Sequence, residues 1–131
     1  ALAVVSGEGA ELAATSIGSN GGFTCYWSGH LPDNFKGWNT NGIRLRHKLQ
    51  AIAAGSAQIV LTIESDSTTV STTTRASLTS ADGSYQWITA AGSGLSALTA
   101  GAYFTMSMAA TFSGGASGCV LLLGRIEIDH D

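Results

Sequence analysis

Aromatic side chains are concentrated in one short stretch of the sequence, residues 23–38, where they alternate with small polar groups. Flat rings beside carboxylates and amides are what a sugar site needs, because a pyranose stacks one apolar face on a ring and hydrogen-bonds through its hydroxyls. In such a site Tyr26, Trp27 and Trp38 would be the platform and Asp33 the polar clamp. The favoured alternative is that the segment packs its rings onto one end of the core, and a third is that it contacts another subunit.

Other residue types with catalytic or metal-binding chemistry lack the spacing that the chemistry needs. No two of the three histidines have the close spacing of a zinc site, and His47 follows the parity of Ile43 and Leu45, which predicts a place in the core. No nucleophile elbow is present, and the glutamates are scattered over separate predicted strands and turns. The acidic end, residues 129–131, is more typical of a solvated tail than of a metal site. We therefore predict no enzyme activity, no metal and no cofactor.

Cys25 and Cys119 are the only cysteines. Bridged, they would close a long loop and stabilise the fold by about 4 kcal/mol. The alternative is two buried free thiols, which are normal for proteins made in a reducing cytoplasm. The sequence favours the thiols and leaves the bridge open.

Three of the six basic residues, Arg44, Arg46 and Lys48, fall on one parity of a predicted strand. A solvated sheet face is the default interpretation of such a strip. Alternatively, Arg44 and Arg46 contact an acidic partner, such as a capsid shell or Glu127 and Asp129 of a neighbouring copy, and fix its orientation.

The chain has 131 residues, 44% of them hydrophobic and only 11% charged, with a net charge of -3. This length and composition predict one folded domain over residues 1–131. The absence of a basic run argues against nucleic acid, and no apolar run is long enough to span a membrane. The opening residues 1–5 are too short for a signal peptide.

The surface that this composition implies consists of small neutral side chains, with 17 glycines among them. Protein interfaces are depleted in charge at their centres, whereas solubility normally comes from interspersed charged residues. We therefore expect a large share of this surface to be covered by other subunits. The alternative is a surface rich in serine, threonine and glycine without any partner, as secreted or viral β-proteins often have.

Alternation of apolar and polar residues predicts short strands and almost no helix. Residues 43–50 and 57–64 should form a hairpin, and the threonine-rich stretch 68–76 an exposed or edge strand. In the stretch 103–112, Phe104, Met106 and Phe112 lie on the expected core face, and Gly124 sits where a bulge would change the parity of the last strand. Further strands are expected at residues 85–89 and 119–129, with weaker candidates at 3–6, 11–17 and 23–27.

About eight strands separated by turns predict an all-β fold, a two-sheet antiparallel β-sandwich, and the resemblance described next implies that it is of jelly-roll type. Within it, residues 1–22 are interpreted as an extended arm able to pair with another chain, and residues 23–42 as a long aromatic-rich loop.

The stretch 95–112, with its Leu-Thr-Ala-Gly-Ala-Tyr turn at residues 98–103, resembles a turn common in jelly-roll proteins, and the terminal Leu-Leu-Leu-Gly-Arg-Ile-Glu-Ile strand is similar. With residues 43–64, these segments resemble the jelly-roll modules of bacteriophage virions, including capsid decoration proteins and fibre domains. More distantly they resemble the tumour-necrosis-factor and C1q type. The same turn recurs in carbohydrate-binding modules.

The resemblance implies a non-enzymatic virion protein, made in the host cytoplasm, most simply a capsid decoration or cement protein. Its partners would be a major capsid or other virion protein and copies of itself, with a trimer favoured. The competing expectation is a carbohydrate-binding module or a receptor-binding fibre or tail domain whose aromatic segment contacts a glycan.

Overall fold

A computed structural model describes the backbone of residues 2–5 and 11–16 and the whole of residues 21–131. In these residues, nine strands and one 3₁₀ turn, Gly92–Gly94, are present. The strands are β1 (Leu2–Val5), β2 (Glu11–Ser16), β3 (Gly21–His30), β4 (Trp38–Ala51), β5 (Ala54–Ser65), β6 (Thr68–Leu78), β7 (Gln86–Ala90), β8 (Tyr103–Ser117) and β9 (Cys119–His130). No helix in the described ranges has the length and apolar character that crossing a membrane requires.

The strands form two antiparallel sheets. Sheet A has the order β1-β2-β9-β4-β7, and sheet B has the order β3-β8-β5-β6. Two four-stranded sheets with the orders β2-β9-β4-β7 and β3-β8-β5-β6 make a jelly roll, and β1 adds one strand at the edge of sheet A. The predicted sandwich is therefore confirmed, and β6 is the edge strand that its threonines predicted.

The core lies between the sheets, where each strand turns its apolar parity inward. Phe104, Met106 and Phe112 of β8 are buried as predicted, and they face Leu45 and Leu49 from β4 across the sandwich. This packed layer holds both sheets in place, so side chains of the opposite parity are presented outward on two separate faces.

The predicted bulge in β9 is confirmed. Leu45 pairs with Ile126 and His47 pairs with Leu123. Between these two pairs β9 contains one residue more than β4, and the extra residue lies beside Gly124. Because one extra residue exchanges the two faces, Arg125 and Glu127 point outward after it.

The predicted hairpin of residues 43–50 and 57–64 is wrong. The strands exist, but β4 pairs with β7 and β9 in sheet A, whereas β5 pairs with β6 and β8 in sheet B. Alternation specifies which face of a strand is buried, but it does not specify which strands pair. β4 and β5 lie in opposite sheets, and both turn their apolar faces to the core between the sheets.

The prediction of a long aromatic-rich loop at residues 23–42 is also wrong. Most of this segment belongs to β3 and β4, and the connection between them is residues 31–37. Ten residues of β3 pair with β8 in unbroken register, which satisfies the backbone groups that a loop would leave to water.

The expected extended arm at residues 1–22 is replaced, where the structure describes it, by strands of the same sheet. β1 pairs with β2, and β2 pairs with β9 from Leu12 opposite Leu123 to Ser16 opposite Cys119. The backbone of β2 thereby completes one side of β9. Residues 1, 6–10 and 17–20 lie outside the described residues.

Candidate functional site

The residues that the sequence suggests for a sugar site or for contact with an acidic partner lie on three different surfaces. Tyr26 and Trp27 are adjacent on β3 and therefore point to opposite sides of sheet B. The Tyr26 side chain is 76% exposed on the outer face, whereas Trp27 is half-buried and packs against the core. The two rings cannot form a single platform.

Trp38 lies at one end of the sandwich and not beside Tyr26. Its indole N–H donates to the carbonyl oxygen of Leu98 at 3.0 Å, and its ring meets that of Phe35 edge-on with centroids 4.9 Å apart. Both rings pack against the buried cluster, so the plug interpretation is confirmed for Phe35 and Trp38. Asp33 is exposed in the neighbouring connection between β3 and β4.

Arg44 and Arg46 lie on the outer face of sheet A, on the opposite side of the molecule from Tyr26. Arg44 contacts Glu127 of the same chain at 2.7 Å. Hydrogen bonds from Arg44, and then from Arg125, lower the pKa of Glu127. Glu127 is thus bonded to arginines of its own chain, and pairing with the arginines of a neighbouring copy stays a prediction.

Sequence reasoning missed Tyr103, at the start of β8. Its side chain is 69% exposed, and one face of its ring stacks on His30 of β3, with centroids 4.1 Å apart and planes 11° from parallel. The stack holds the tyrosine in a fixed orientation while leaving its other face open. The available signal was an aromatic residue on the outward parity of a strand whose opposite parity carries the core.

Tyr26 and Tyr103 share the outer face of sheet B, which we call the tyrosine face. Directly across the sheet from Tyr26, the register places Ser107, then Thr62, then Thr72. Paired residues point to the same side, so an aromatic ring is followed by three hydroxyl groups in one row.

A second row of polar residues crosses the tyrosine face beside Tyr103. It runs from Ser28 through Thr105 to Glu64. These three residues, with Tyr103 and Asp66 of the β5–β6 turn, line a groove of about 340 Å³. Two carboxylates and several hydroxyls therefore lie next to the open face of a fixed aromatic ring.

The two tyrosines stand at a distance that suits an extended ligand. Tyr26 lies four residues before His30, and His30 is paired with Tyr103 on the adjacent strand. With a rise of about 3.4 Å per residue and a strand separation of about 4.8 Å, their Cα atoms are about 14 Å apart. A ligand that touches both rings must therefore be longer than one sugar unit and must lie along β3 and β8.

Among the described residues, Tyr26 and Tyr103 are the exposed aromatic side chains. An isolated exposed apolar residue needs no explanation, but two rings on one hydroxyl-rich face of a sheet are unusual. This face can stack planar apolar surfaces and hydrogen-bond hydroxyl groups at the same time.

A buried polar cluster joins the two sheets on the inner side. Nη1 of Arg75, on β6, donates to Nε2 of His47 at 2.7 Å, and its guanidinium bonds to both carboxylate oxygens of Asp82. The backbone N–H of Leu49 also donates to Asp82, at 2.8 Å. His47 is fully buried, as its parity predicted.

The cluster holds His47 neutral and Asp82 charged. Burial is the largest cause that lowers the pKa of His47, and the nearby charge of Arg75 acts in the same direction. Burial pushes the pKa of Asp82 upward, but hydrogen bonds from Arg75 and from the Leu49 N–H outweigh it and leave that pKa below its usual value. The cluster is a structural connection between sheets, remote in the fold from the tyrosine face.

Cys25 and Cys119 are free thiols in the structure, on strands of different sheets. Burial raises the pKa of both. In the part of the chain that the structure describes, no three histidine, cysteine or acidic side chains come together as a metal site.

Comparisons with known proteins identify the fold. No protein-family profile matches the chain, and neither does any curated protein. The solved structure of TmCBM61 in complex with β-1,4-galactotriose is similar with a TM-score of 0.53 and 10% identity, over 93% of this chain and 71% of that one. A carbohydrate-binding module specific for non-crystalline cellulose, CBM28, is similar with a TM-score of 0.53 and 9% identity, over 99% of this chain and 82% of that one. At these identities the likeness shows the jelly-roll sandwich alone.

Proposed function

We propose that this protein is a non-catalytic carbohydrate-binding module whose tyrosine face binds a neutral glycan chain. The observation that carries the proposal is the pair of exposed rings, Tyr26 and Tyr103, on one hydroxyl-rich face of sheet B. Each ring stacks one sugar unit, and the rows of serine and threonine between them accept and donate hydrogen bonds to sugar hydroxyls.

Glu64 and Asp66 complete the proposed site at the Tyr103 end of the groove. Carboxylates accept strong hydrogen bonds from sugar hydroxyls, and each carboxylate can accept from two hydroxyls at once. The interpretation of the sandwich as a sugar-binding scaffold is supported by the two similar folds above, one solved in complex with β-1,4-galactotriose and the other a module specific for non-crystalline cellulose. We therefore expect a ligand of several neutral sugar units.

The test is binding of the purified protein to β-1,4-galactan, non-crystalline cellulose and a glycan array. Replacing either Tyr26 or Tyr103 by alanine should weaken binding about tenfold, because each loses one stacked sugar. Tyr85→Ala, which removes the third tyrosine of the chain on the other sheet, is the matched control and should bind as the unsubstituted protein does.

Two outcomes would refute this proposal. One is no binding to any glycan on the array. The other is glycan binding that survives Tyr26→Ala and Tyr103→Ala together, which would place the sugar elsewhere, for example in the groove of about 490 Å³ beside Trp38.

A second candidate function, capsid decoration of a tailed phage, is favoured by the edge of sheet B. Within the described residues, strand β6 pairs with β5 alone, and its exposed side chains include Thr68, Thr72 and Thr74. An edge whose exposed side chains are largely neutral can add a strand from another chain and can lie close to a neutral shell. This is the specific surface on which a virion partner or a second copy would dock.

The decoration hypothesis is tested by light scattering over a range of concentrations and by sedimentation with emptied phage capsids. Thr72→Lys and Thr74→Lys together should abolish capsid binding, since they place two charges beside the edge. A protein that stays monomeric at all concentrations and does not sediment with capsids would exclude this function.

A further inference from the structure

The outer face of sheet A gathers most of the positive charge of a chain that is acidic overall. Of the six lysines and arginines, Arg44, Arg46, Lys48 and Arg125 surround the rings of Tyr85 and Trp87. The whole chain carries a formal charge of -3. The basic face is thus a local feature that the composition does not indicate.

Three of these cations form a regular row, which we call the basic ladder: Arg44, Arg46 and Lys48, on alternate residues of β4. All three are half-buried, between inward residues that are fully buried. Alternate residues of a strand lie about 7 Å apart, so the Cα atoms of the ladder extend over about 14 Å along β4.

Aromatic rings of the neighbouring chain segment hold the ladder in place. The Arg44 guanidinium lies 3.9 Å from the centre of the Trp87 ring, and that of Arg46 lies 4.9 Å from the centre of Tyr85. The Lys48 ammonium is 5.8 Å from the same tyrosine. Side chains ordered before binding lose less conformational entropy when a ligand arrives.

We propose that the basic ladder binds an acidic polysaccharide of the polyuronate class, with the sugar carboxylates aligned along β4. Guanidinium groups match carboxylates in shape, and Arg44 already engages a carboxylate, that of Glu127, at 2.7 Å. A row of cations along one strand complements a chain with one negative charge on each sugar unit.

A single-stranded nucleic acid fits this face less well. Such ligands bind by stacking bases on free aromatic faces, and here Trp87 and Tyr85 are covered by cations. A polyuronate has no bases to stack, so it does not need free aromatic faces.

The test is a titration with polygalacturonate, with its fully methyl-esterified form as the uncharged counterpart and poly(U) as the nucleic-acid alternative. We expect polygalacturonate to bind with an affinity that falls as salt rises, and the ester not to bind. The double variant Arg46→Gln with Lys48→Gln should weaken binding about tenfold.

The matched control is Lys36→Gln, which removes one positive charge from the connection between β3 and β4, away from the ladder. It should bind polygalacturonate as the unsubstituted protein does, and so should Tyr26→Ala, because the tyrosine face belongs to the other sheet. Thermal unfolding of each variant checks that it is folded.

The proposal is overturned by no binding to polygalacturonate, by equal binding of its ester, by poly(U) binding at least as tightly at the same salt, or by a folded double variant that binds normally. None of these results depends on whether the tyrosine face binds a neutral glycan, because the two faces are tested with different ligands and different variants.

Discussion

At the scale of single residues, the most constrained group is His47. Its Nδ1 lies 3.2 Å from the carbonyl oxygen of Leu45, and its Nε2 faces the guanidinium of Arg75. Because a guanidinium can only donate, Nε2 must be the acceptor and Nδ1 must carry the proton. Protonation of His47 would place two positive charges side by side in the core.

The folded protein should therefore lose stability in mild acid. The pKa of His47 is lower in the folded protein than its ordinary value of 6.5, so the unfolded chain takes up more protons as the pH falls below about 6.5. The contribution of His47 to the free energy of unfolding is fully present above that pH and declines below it. A further loss is expected below about pH 4, where Asp82, whose pKa is also lowered, becomes protonated in the unfolded chain.

This prediction is checked by urea unfolding at pH 7.5 and pH 5.5. The free energy of unfolding should fall between the two values, and His47→Gln, whose side chain does not titrate, should remove most of that difference. His130→Gln, at an exposed position, is the matched control and should keep it. An unsubstituted protein that is equally stable at both values would contradict the neutral, buried assignment of His47.

At the scale of elements, strand β4 begins with an irregularity that depends on one glycine. Trp38 pairs with His130 and Ile43 with Ile128, so four residues of β4 oppose a single residue of β9. The Asp129 carboxylate accepts hydrogen bonds from the Asn39 side chain at 3.2 Å and from the Asn41 backbone N–H at 3.1 Å. Gly42, with a φ of 54°, is the last of these four residues before pairing resumes at Ile43.

We predict that Gly42→Ala destabilises the fold by about 2 to 4 kcal/mol, since the position requires left-handed backbone and an added Cβ would collide with the Ala90 carbonyl oxygen. Gly83→Ala, where an added Cβ meets no atom within 4 Å, should change stability by less than about 0.5 kcal/mol. Urea unfolding at pH 7.5 compares them. Equal stability of the two variants would rule out strain at Gly42.

The elements themselves could largely be predicted from the sequence, because alternation directly reports which side chains are buried. Alternation predicts the inward sides of β4 and β8 and the bulge at Gly124. Pairing partners could not be, because they depend on contacts between strands far apart in the chain. The hairpin prediction for residues 43–64 is wrong for this reason.

Only part of the candidate site can be predicted from the sequence, because the site also depends on which strands pair. Tyr26 was identified from its residue type, but it was grouped with Trp27 and Trp38 because the segment was interpreted as a loop, where alternation does not apply. Tyr103 joins Tyr26 only through the β3–β8 register, which no local pattern encodes. The sequence identifies the three cations of the basic ladder. The aromatic rings that contact them can be identified only from the pairing of β4 with β7.

At the scale of the whole molecule, the sandwich separates two chemically different faces. The tyrosine face and the basic ladder lie on the outer sides of opposite sheets, with the apolar core between them. If both proposals hold, neutral and acidic glycans should bind together. The affinity for polygalacturonate, measured by calorimetry, should be the same within about twofold with and without saturating neutral glycan, since no shared residue couples the two faces.

Tyr26→Ala serves as the control for this prediction, because it removes the neutral ligand's effect without touching the ladder. Competition between the two glycans in the unsubstituted protein would show that they occupy one surface, and the assignment of separate faces would then be wrong.

The position of β9 has a consequence for how the protein is made. β9 pairs with β2 on one side and β4 on the other, so it fills the middle of sheet A although it is translated after every other strand. A ribosome delivers β2 and β4 long before the strand that separates them, and Leu45 and Leu49 stay uncovered during that interval. Sheet A therefore cannot close until residues 119–130 have been made, and its assembly depends on pairing between strands far apart in the chain.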